Sequence, residues 1–432
     1  MRISSFARFT RLTAKIGLSC LLLPWFSLSL AENITVTTVK LSIDDLVAIV
    51  LQHNASLKAS QRSVELAGSG IITASAFPNP RLEFNSGRNV TPATSAASGI
   101  VNGIGISQFI ENPTLRSARI TSAQFAELGS VHALALTRNE LVGEVKLRCY
   151  EYLLRREEAL AAADALSLLE QTRERIKVRV DTGEAGKYEL IKADAEIVSA
   201  RQREETARLQ IAQAAISINR LAAGMLPAHW ELNAQLHEIL ALPSLEILQQ
   251  VALRENPELR LLEAELERNK SRINEAYASR LPGLELRLSQ LREPDIRQDI
   301  VGVSIQIPLF DQRRGPRDEA IAERERTLAR LEGRRTELRQ QLELAWRSVE
   351  IARLRIDALS EGAIRSAEAA LRVAEAAYKF GERGILEVLD AQRVLRAVRQ
   401  DLLLARFQLH ASLIELDTLS GHYAGVSTSL QR

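Results

Sequence analysis

The chain has 432 residues, of which 46% are hydrophobic, 25% charged and only 4% aromatic. Few aromatic residues together with abundant Ala, Leu, Arg and Glu favour long helices, and they exclude a disulfide scaffold, a collagen-like chain and a disordered chain. The 56 basic and 54 acidic residues leave a formal net charge of +2, which does not indicate a nucleic-acid partner.

Residues 1–31 have the features of a secretory signal peptide. Four basic residues precede an apolar run over residues 16–30, and Ala31 ends a small-x-small cleavage site. Because four positive charges and no acidic residue leave with this segment, the net charge falls from +2 to −2 in the mature chain. Cys20 lacks the flanking residues of a lipoprotein signal, which disfavours a lipid anchor. Cys149 is the only other cysteine, so no intramolecular disulfide is expected.

The rest of the chain is a duplication. Residues 41–84 recur 202 positions later, so that Asn54 corresponds to Asn256, whereas the turn at Gly183 recurs 198 positions later at Gly381. The four-residue difference falls in a polar loop of the first copy, residues 85–103. We therefore predict a first repeat over 32–225, an equatorial linker over 226–243, a second repeat over 244–420 and a C-terminal tail over 421–432.

Each repeat reads as a helix, two strands, a very long helix, a glycine turn and a return helix. The strands are predicted from alternation of apolar and polar residues, which is clearest where Val301, Val303 and Ile305 alternate with polar or small residues. The first repeat has predicted strands at about 81–88 and 103–111, a long helix at about 113–180 and a tip at 181–186. The second has strands at about 282–292 and 299–309, a long helix at about 316–380 and a tip at 381–384.

The length of the long helices and the number of strands both predict that several identical chains assemble. A helix of about 65 residues spans about 100 Å, and its apolar seam must pack against neighbours. Four amphipathic strands suit a transmembrane β-sheet, but a closed barrel needs at least about 8 strands, and an open sheet edge is costly in lipid. The sequence therefore predicts chains that pool their strands. The alternative is a soluble β-hairpin on a periplasmic coiled-coil protein.

The duplicated pattern, the strand pairs and the two glycine turns resemble the TolC-type outer membrane efflux proteins over nearly the whole mature chain. The segment 378–391 is especially similar to the second periplasmic tip of that family. The resemblance implies a mainly α fold with a transmembrane β part: duplicated long helical hairpins form a periplasmic α-barrel tunnel, and four strands per protomer contribute to a trimeric 12-stranded barrel. The implied location is the outer membrane of a Gram-negative bacterium, with the helices in the periplasm.

The implied function is that of the outer-membrane channel of a tripartite efflux system of the resistance-nodulation-division type. Such a homotrimer contacts outer-membrane lipid, a periplasmic adaptor protein and an inner-membrane pump. Residues 76–80 resemble the heavy-metal branch of the cobalt–zinc–cadmium type, which implies a passive conduit for metal cations. Export of drugs or proteins by the same kind of channel stays open, as does a periplasmic adaptor or scaffold without a pore.

The resemblance also implies a gate at the second tip. Glu387 and Asp390 lie three residues apart on one helix face and match two family carboxylates that line the constriction. Arg383 and Tyr378 match an arginine and a tyrosine that bind an acidic residue, here Glu189, in the closed state. The tip turns are built on Gly183, Gly186, Gly381 and Gly384. The alternative for the two carboxylates is an ordinary solvated helix face.

One departure from the duplicated pattern concerns this gate. Lys192 occupies the position of the first repeat that corresponds to Asp390, so the inner acidic ring would come from the second repeat alone.

No enzymatic function, cofactor or metal site is expected. The sequence has no phosphate loop, nucleophile motif or zinc helix. None of the six His residues has a second ligand at metal-site spacing, and His229 and His237 in the linker come nearest. Cys149 lies on an apolar helix stripe and is expected to be a packed small hydrophobe.

Overall fold

The computed structural model describes residues 39–90, 97–236 and 242–425. The predicted signal peptide with Cys20, the linker residue His237 and the tail beyond residue 425 lie outside the described residues. None of the described helices combines the length and the apolar character needed to cross a membrane.

The first repeat begins with a short strand and two helices and continues into a strand pair and a helical hairpin. The second repeat has the same order, and the short strand β4 precedes it. The elements of the first repeat are β1 (Val39–Leu41), α1 (Ile43–His53), α2 (Ala55–Ser75), β2 (Arg81–Asn89), β3 (Gly99–Ile110), α3 (Pro113–Asp181) and α4 (Lys187–Leu221). The later elements are β4 (Trp230–Leu232), α5 (Leu245–Glu255), α6 (Pro257–Ala278), β5 (Leu284–Arg292), β6 (Arg297–Ile305), α7 (Arg314–Asp357), α8 (Ile364–Lys379) and α9 (Ile385–Ser420).

Each repeat has an asparagine helix cap at the equivalent position. Asn54 caps α2 and Asn256 caps α6, and each side-chain oxygen accepts hydrogen bonds from two backbone N–H groups of the helix it starts. Each side-chain amide also donates to the carbonyl at the end of the return helix, Asn54 to Leu221 at 3.1 Å and Asn256 to Leu419 at 2.9 Å. The same residue therefore starts one helix and fixes the end of another in both repeats.

The first long helix is continuous over 69 residues, which corresponds to about 100 Å of helix axis. The second was predicted as one helix over 316–380, and this is wrong in detail, because a π-helical turn at Ala358–Ala363 separates α7 from α8. Ser360 and Gly362 lie in this turn, where the first repeat has Ala162 and Asp164. Glycine is a poor helix former, and the Ser360 hydroxyl bonds the Asp357 carbonyl at 3.4 Å, which competes with regular α-helical bonding.

The strands differ from the predicted bounds at both loops. The ladder between β2 and β3 continues as far as the pair Asn89–Gly99, so part of the predicted polar loop is paired strand. By contrast β6 ends at Ile305 rather than near 309, because its partner strand β5 begins at Leu284, directly opposite Ile305, after Pro282 and Gly283. The linker is also more regular than predicted, since β4 pairs in parallel with β1.

The main sheet has four antiparallel strands in the order β2-β3-β5-β6. Its register aligns one apolar side chain from each strand in a single row, formed by Leu82, Ile106, Leu288 and Val301. All four are exposed in the single chain, from 46% at Ile106 to 78% at Val301. Within the described part of the chain, β2 and β6 are each paired on one side only. The sheet therefore has an apolar face without a cover and two open edges.

The buried core lies along the helices rather than under the sheet. One cluster joins α1, α3 and α4 and contains Leu46, Cys149, Leu153 and Ile218, all fully buried. Burial raises the pKa of the Cys149 thiol to about 12, so this cysteine is an inert, packed side chain, as the helix stripe predicts. A second cluster packs the two helical hairpins together near their tips, and a third joins α7 to α6 and α9.

Candidate functional site

The two hairpins end in equivalent glycine turns. Gly183 and Gly381 adopt positive φ angles of 81° and 72°, a conformation that glycine accepts without steric cost. In both turns the N–H groups of the next two residues bond one carbonyl, that of Arg179 in the first turn and that of Ala377 in the second. Gly186 and Gly384 then precede the return helices α4 and α9. The four predicted tip glycines therefore build two copies of one turn.

Tyr378 is packed at the tip by an arginine that the sequence did not single out. Its side chain is buried in the second core cluster, and the Arg179 guanidinium lies over its ring at 4.5 Å from the centroid. Arg179 also donates to the backbone carbonyl of Tyr378 at 3.1 Å. The first repeat thus holds the turn of the second repeat through a cation–π contact and a hydrogen bond.

Glu189 lies close to Tyr378. Burial and then the Glu189 carboxylate raise the pKa of Tyr378, whereas Arg179 acts in the opposite direction. The Tyr378 hydroxyl and the Oε2 atom of Glu189 are both buried and make no hydrogen bond within the described residues. The two groups therefore approach each other without the geometry of a full hydrogen bond.

Arg383 does not contact Glu189 in the single chain. Its Nη1 atom donates to both carboxylate oxygens of Glu387, in the first turn of α9, at 2.9 Å. Of the three residues predicted to form a latch, the structure brings Tyr378 and Glu189 together and places Arg383 elsewhere. The physical reason is proximity in the chain, because Arg383 lies in the turn just before the N-cap Gly384 and Glu387 lies in the first turn of α9, within reach of the guanidinium.

Asp390 and Glu387 line an open groove of about 940 Å³ between α4, α8 and α9. The Asp390 carboxylate lies 3.6 Å from Arg393, whose other terminal nitrogen bonds Glu196 of α4 at 3.1 Å. Lys192 lines the same groove. The predicted acidic face is therefore interleaved with basic side chains.

Sequence reasoning missed Arg179, Arg393 and Glu196. Arg393 follows Asp390 by three residues and could have been found from helical spacing alone. Arg179 and Glu196 meet residues about 197 to 199 positions away in the sequence, and their partners depend on how the two hairpins pack. Among the described residues no group of three potential ligands from His, Cys, Asp and Glu could hold a metal ion.

Comparison with known proteins gives a family match that follows the repeats. A family model described as outer membrane efflux protein matches residues 46–224 and 248–422. The cobalt-zinc-cadmium resistance protein CzcC of Cupriavidus metallidurans is 24% identical over 387 residues, which cover 88% of this chain and 90% of CzcC. The outer membrane efflux protein BepC of Brucella suis biovar 1 is 24% identical over 393 residues, covering 88% of this chain and 85% of BepC.

The fold also matches solved structures. A crystal structure of CusC, reported for conformational changes accompanying folding and transmembrane channel formation, aligns with a TM-score of 0.75 at 21% identity. The alignment covers 91% of this chain and 95% of CusC. At this identity the likeness establishes the fold.

Proposed function

Because the chain belongs to the outer membrane efflux protein family, we propose that it is the outer-membrane channel of a tripartite efflux system. Its location is the outer membrane of a Gram-negative bacterium. As proposed, three copies form a passive conduit: their sheets close into a 12-stranded barrel in lipid, and their hairpins form a tunnel through the periplasm. The tunnel meets a periplasmic adaptor protein and an inner-membrane pump. No step in this proposal requires a catalytic group or a cofactor.

The observation that carries the proposal is the apolar row on a sheet with two open edges. In water the row would leave four large side chains exposed side by side, and in hydrocarbon it would be solvated by lipid. An open edge in hydrocarbon leaves N–H and C=O groups without partners, at a cost of several kcal/mol each. Pairing of β6 with β2 of the next copy removes both open edges, and three copies supply the 12 strands.

The tip residues are proposed to form the gate of this conduit. Glu387 and Asp390 would line its constriction. Tyr378 and Glu189 would form the closed contact, with Arg179 positioning the tyrosine ring from the neighbouring hairpin. Arg383, bonded to Glu387 in the single chain, would exchange this local partner for a neighbouring copy on assembly.

The proposed cargo is heavy-metal cations. Similarity to CzcC, a protein named for cobalt-zinc-cadmium resistance, supports this choice. Similarity to BepC, named only as an efflux protein, keeps an organic-drug cargo as the second candidate. A conduit needs no tight metal site in its wall, because tightly bound ions would pass slowly.

Two experiments test the proposal. Membrane fractionation should recover the chain in the outer membrane as a trimer that dissociates on heating, and the purified trimer should conduct ions in a planar lipid bilayer. Release by osmotic shock as a monomer would favour a periplasmic scaffold instead. For the cargo, a deletion strain and its complemented control should be grown on cobalt, zinc, cadmium, nickel and common antibiotics. A change in antibiotic sensitivity alone would refute the metal assignment.

A further inference from the structure

The carboxylates at the tip are matched in number by basic groups. Three acidic and three basic side chains line the same groove between α4, α8 and α9, namely Glu196, Glu387 and Asp390 with Lys192, Arg383 and Arg393. The formal charge of this groove is therefore zero in each copy. A constriction lined by Glu387 and Asp390 alone would carry two negative charges per copy and would attract cations.

Arg393 contacts more of these carboxylates than Arg383 does. It is the basic side chain that contacts two of the three carboxylates, Glu196 at 3.1 Å on α4 and Asp390 at 3.6 Å on its own helix. Arg383, by comparison, is bonded to Glu387 alone. The Arg393 side chain is still 54% exposed, so its charge reaches the solvent in the groove. Exposed ion pairs of this kind contribute little to stability, and their main effect is on the local potential.

We propose that Arg393 determines the ion selectivity of the constriction by neutralising its carboxylates. This inference rests on the proposed channel function. With Arg393 present, the constriction discriminates weakly between cations and anions, and cargo choice lies outside this ring. Without it, each copy carries one uncompensated negative charge, and the trimer carries three.

The test is the reversal potential of the reconstituted trimer in a planar bilayer under a potassium chloride gradient. Arg393→Gln should raise the ratio of cation to anion permeability. One negative charge about 8 Å from a passing ion in water raises the local cation concentration about two-fold and lowers the anion concentration about two-fold. The permeability ratio should therefore rise by roughly four-fold if one charge acts and by up to roughly sixty-fold if all three act together. The increase should shrink in 1 M salt, where the screening length falls to about 3 Å.

Three further variants separate charge from structure. Arg393→Lys keeps the charge and should keep the wild-type ratio. The double variant Arg393→Gln with Asp390→Asn restores a neutral groove and should return to that ratio. Arg399→Gln is the matched control, because Arg399 forms an equivalent exposed pair with Glu368 at 3.0 Å but lies outside the groove. It should leave the ratio unchanged.

Two results would overturn the inference. One is a wild-type trimer that is already strongly cation-selective, and the other is an Arg393→Gln trimer that conducts with the wild-type ratio. A wild-type chain that inserts but does not conduct would overturn the channel function itself, so the two failures are distinguishable. Melting of each trimer on a semi-native gel checks that the variants assemble.

Discussion

Leu288→Arg tests whether the apolar row of the sheet faces hydrocarbon. Leu288 is the central residue of the nine-residue strand β5, and its cross-strand neighbours are Ile106 and Val301. Its side chain is 55% exposed in the single chain. Replacing it therefore opens no large cavity in the chain itself, and the cost of the arginine reports on the medium around the row.

The two environments predict different magnitudes. At the middle of a bilayer an outward-facing arginine costs about 2–4 kcal/mol per copy. At a water-exposed position a substitution usually changes stability by no more than about 0.5 kcal/mol. Even the lower lipid value corresponds to a roughly 30-fold change in the folded-to-unfolded ratio of each copy, which equilibrium unfolding resolves easily.

The matched control is Ser289→Arg. Ser289 is the next residue of β5 and points to the opposite face, where its neighbours across the ladder are Gly105 and Ile300. Both variants should be refolded into phospholipid vesicles and unfolded with urea, with tryptophan emission as the readout. We expect a large loss of stability for Leu288→Arg and a clearly smaller one for Ser289→Arg. Equal, small effects would show that the row faces water, and the membrane assignment of the sheet would be wrong.

Four further predictions concern the helices and the tip. Asn256→Ala should lower the free energy of unfolding by about 1–2 kcal/mol in urea titrations, and Asn54→Ala should lower it by less. Both side-chain amides cap a helix and bond a return helix, but Asn256 is the more buried of the two. Unfolding midpoints equal to that of the wild type would contradict this. Ala223→Gly should stabilise the chain by about 0.5–1 kcal/mol, because Ala223 has a φ of 54° that glycine adopts without strain. A melting temperature below that of the wild type would contradict this prediction. Glu140→Gln should stabilise the chain only slightly at pH 7, because the Glu140 side chain is solvent-exposed, although partial desolvation and then the Glu258 carboxylate raise its pKa in the folded state. The gain should fade as the pH is lowered through that pKa and the wild-type carboxyl becomes neutral, and a pH-independent difference would refute this cause. Tyr378→Phe should increase the basal single-channel conductance by removing the hydroxyl beside Glu189, and an unchanged conductance would count against a gating role.

The sequence predicted most of the architecture because the relevant signals are local or repeated. Alternation over two residues identified the strands, and spacing of three and four residues identified the helices. The offsets of 202 and 198 residues revealed the duplication, and the structure shows it again in the paired caps Asn54 and Asn256 and the paired turns at Gly183 and Gly381. The pair between Arg383 and Glu387 was not predicted, because the resemblance assigned Arg383 to Glu189 instead.

Three features of the secondary structure could not be predicted from the periodicity of apolar residues. The π-helical turn at Ala358–Ala363 lies within an unbroken helical pattern. The three-residue pairing of β1 with β4 is too short to give an alternation signal. The end of β6 at Ile305 is set by the start of its partner strand at Leu284, which the apolar alternation within β6 does not reveal.

The partners at the tip were decided only by the tertiary structure. Arg179 meets Tyr378, and Arg393 meets Glu196, across helices whose residues are nearly 200 positions apart. A long arginine can reach many positions on its own helix and on a neighbour, and helical spacing fixes only the first set. The second set depends on the rotation and offset of the two packed hairpins, which the buried side chains of both repeats determine together.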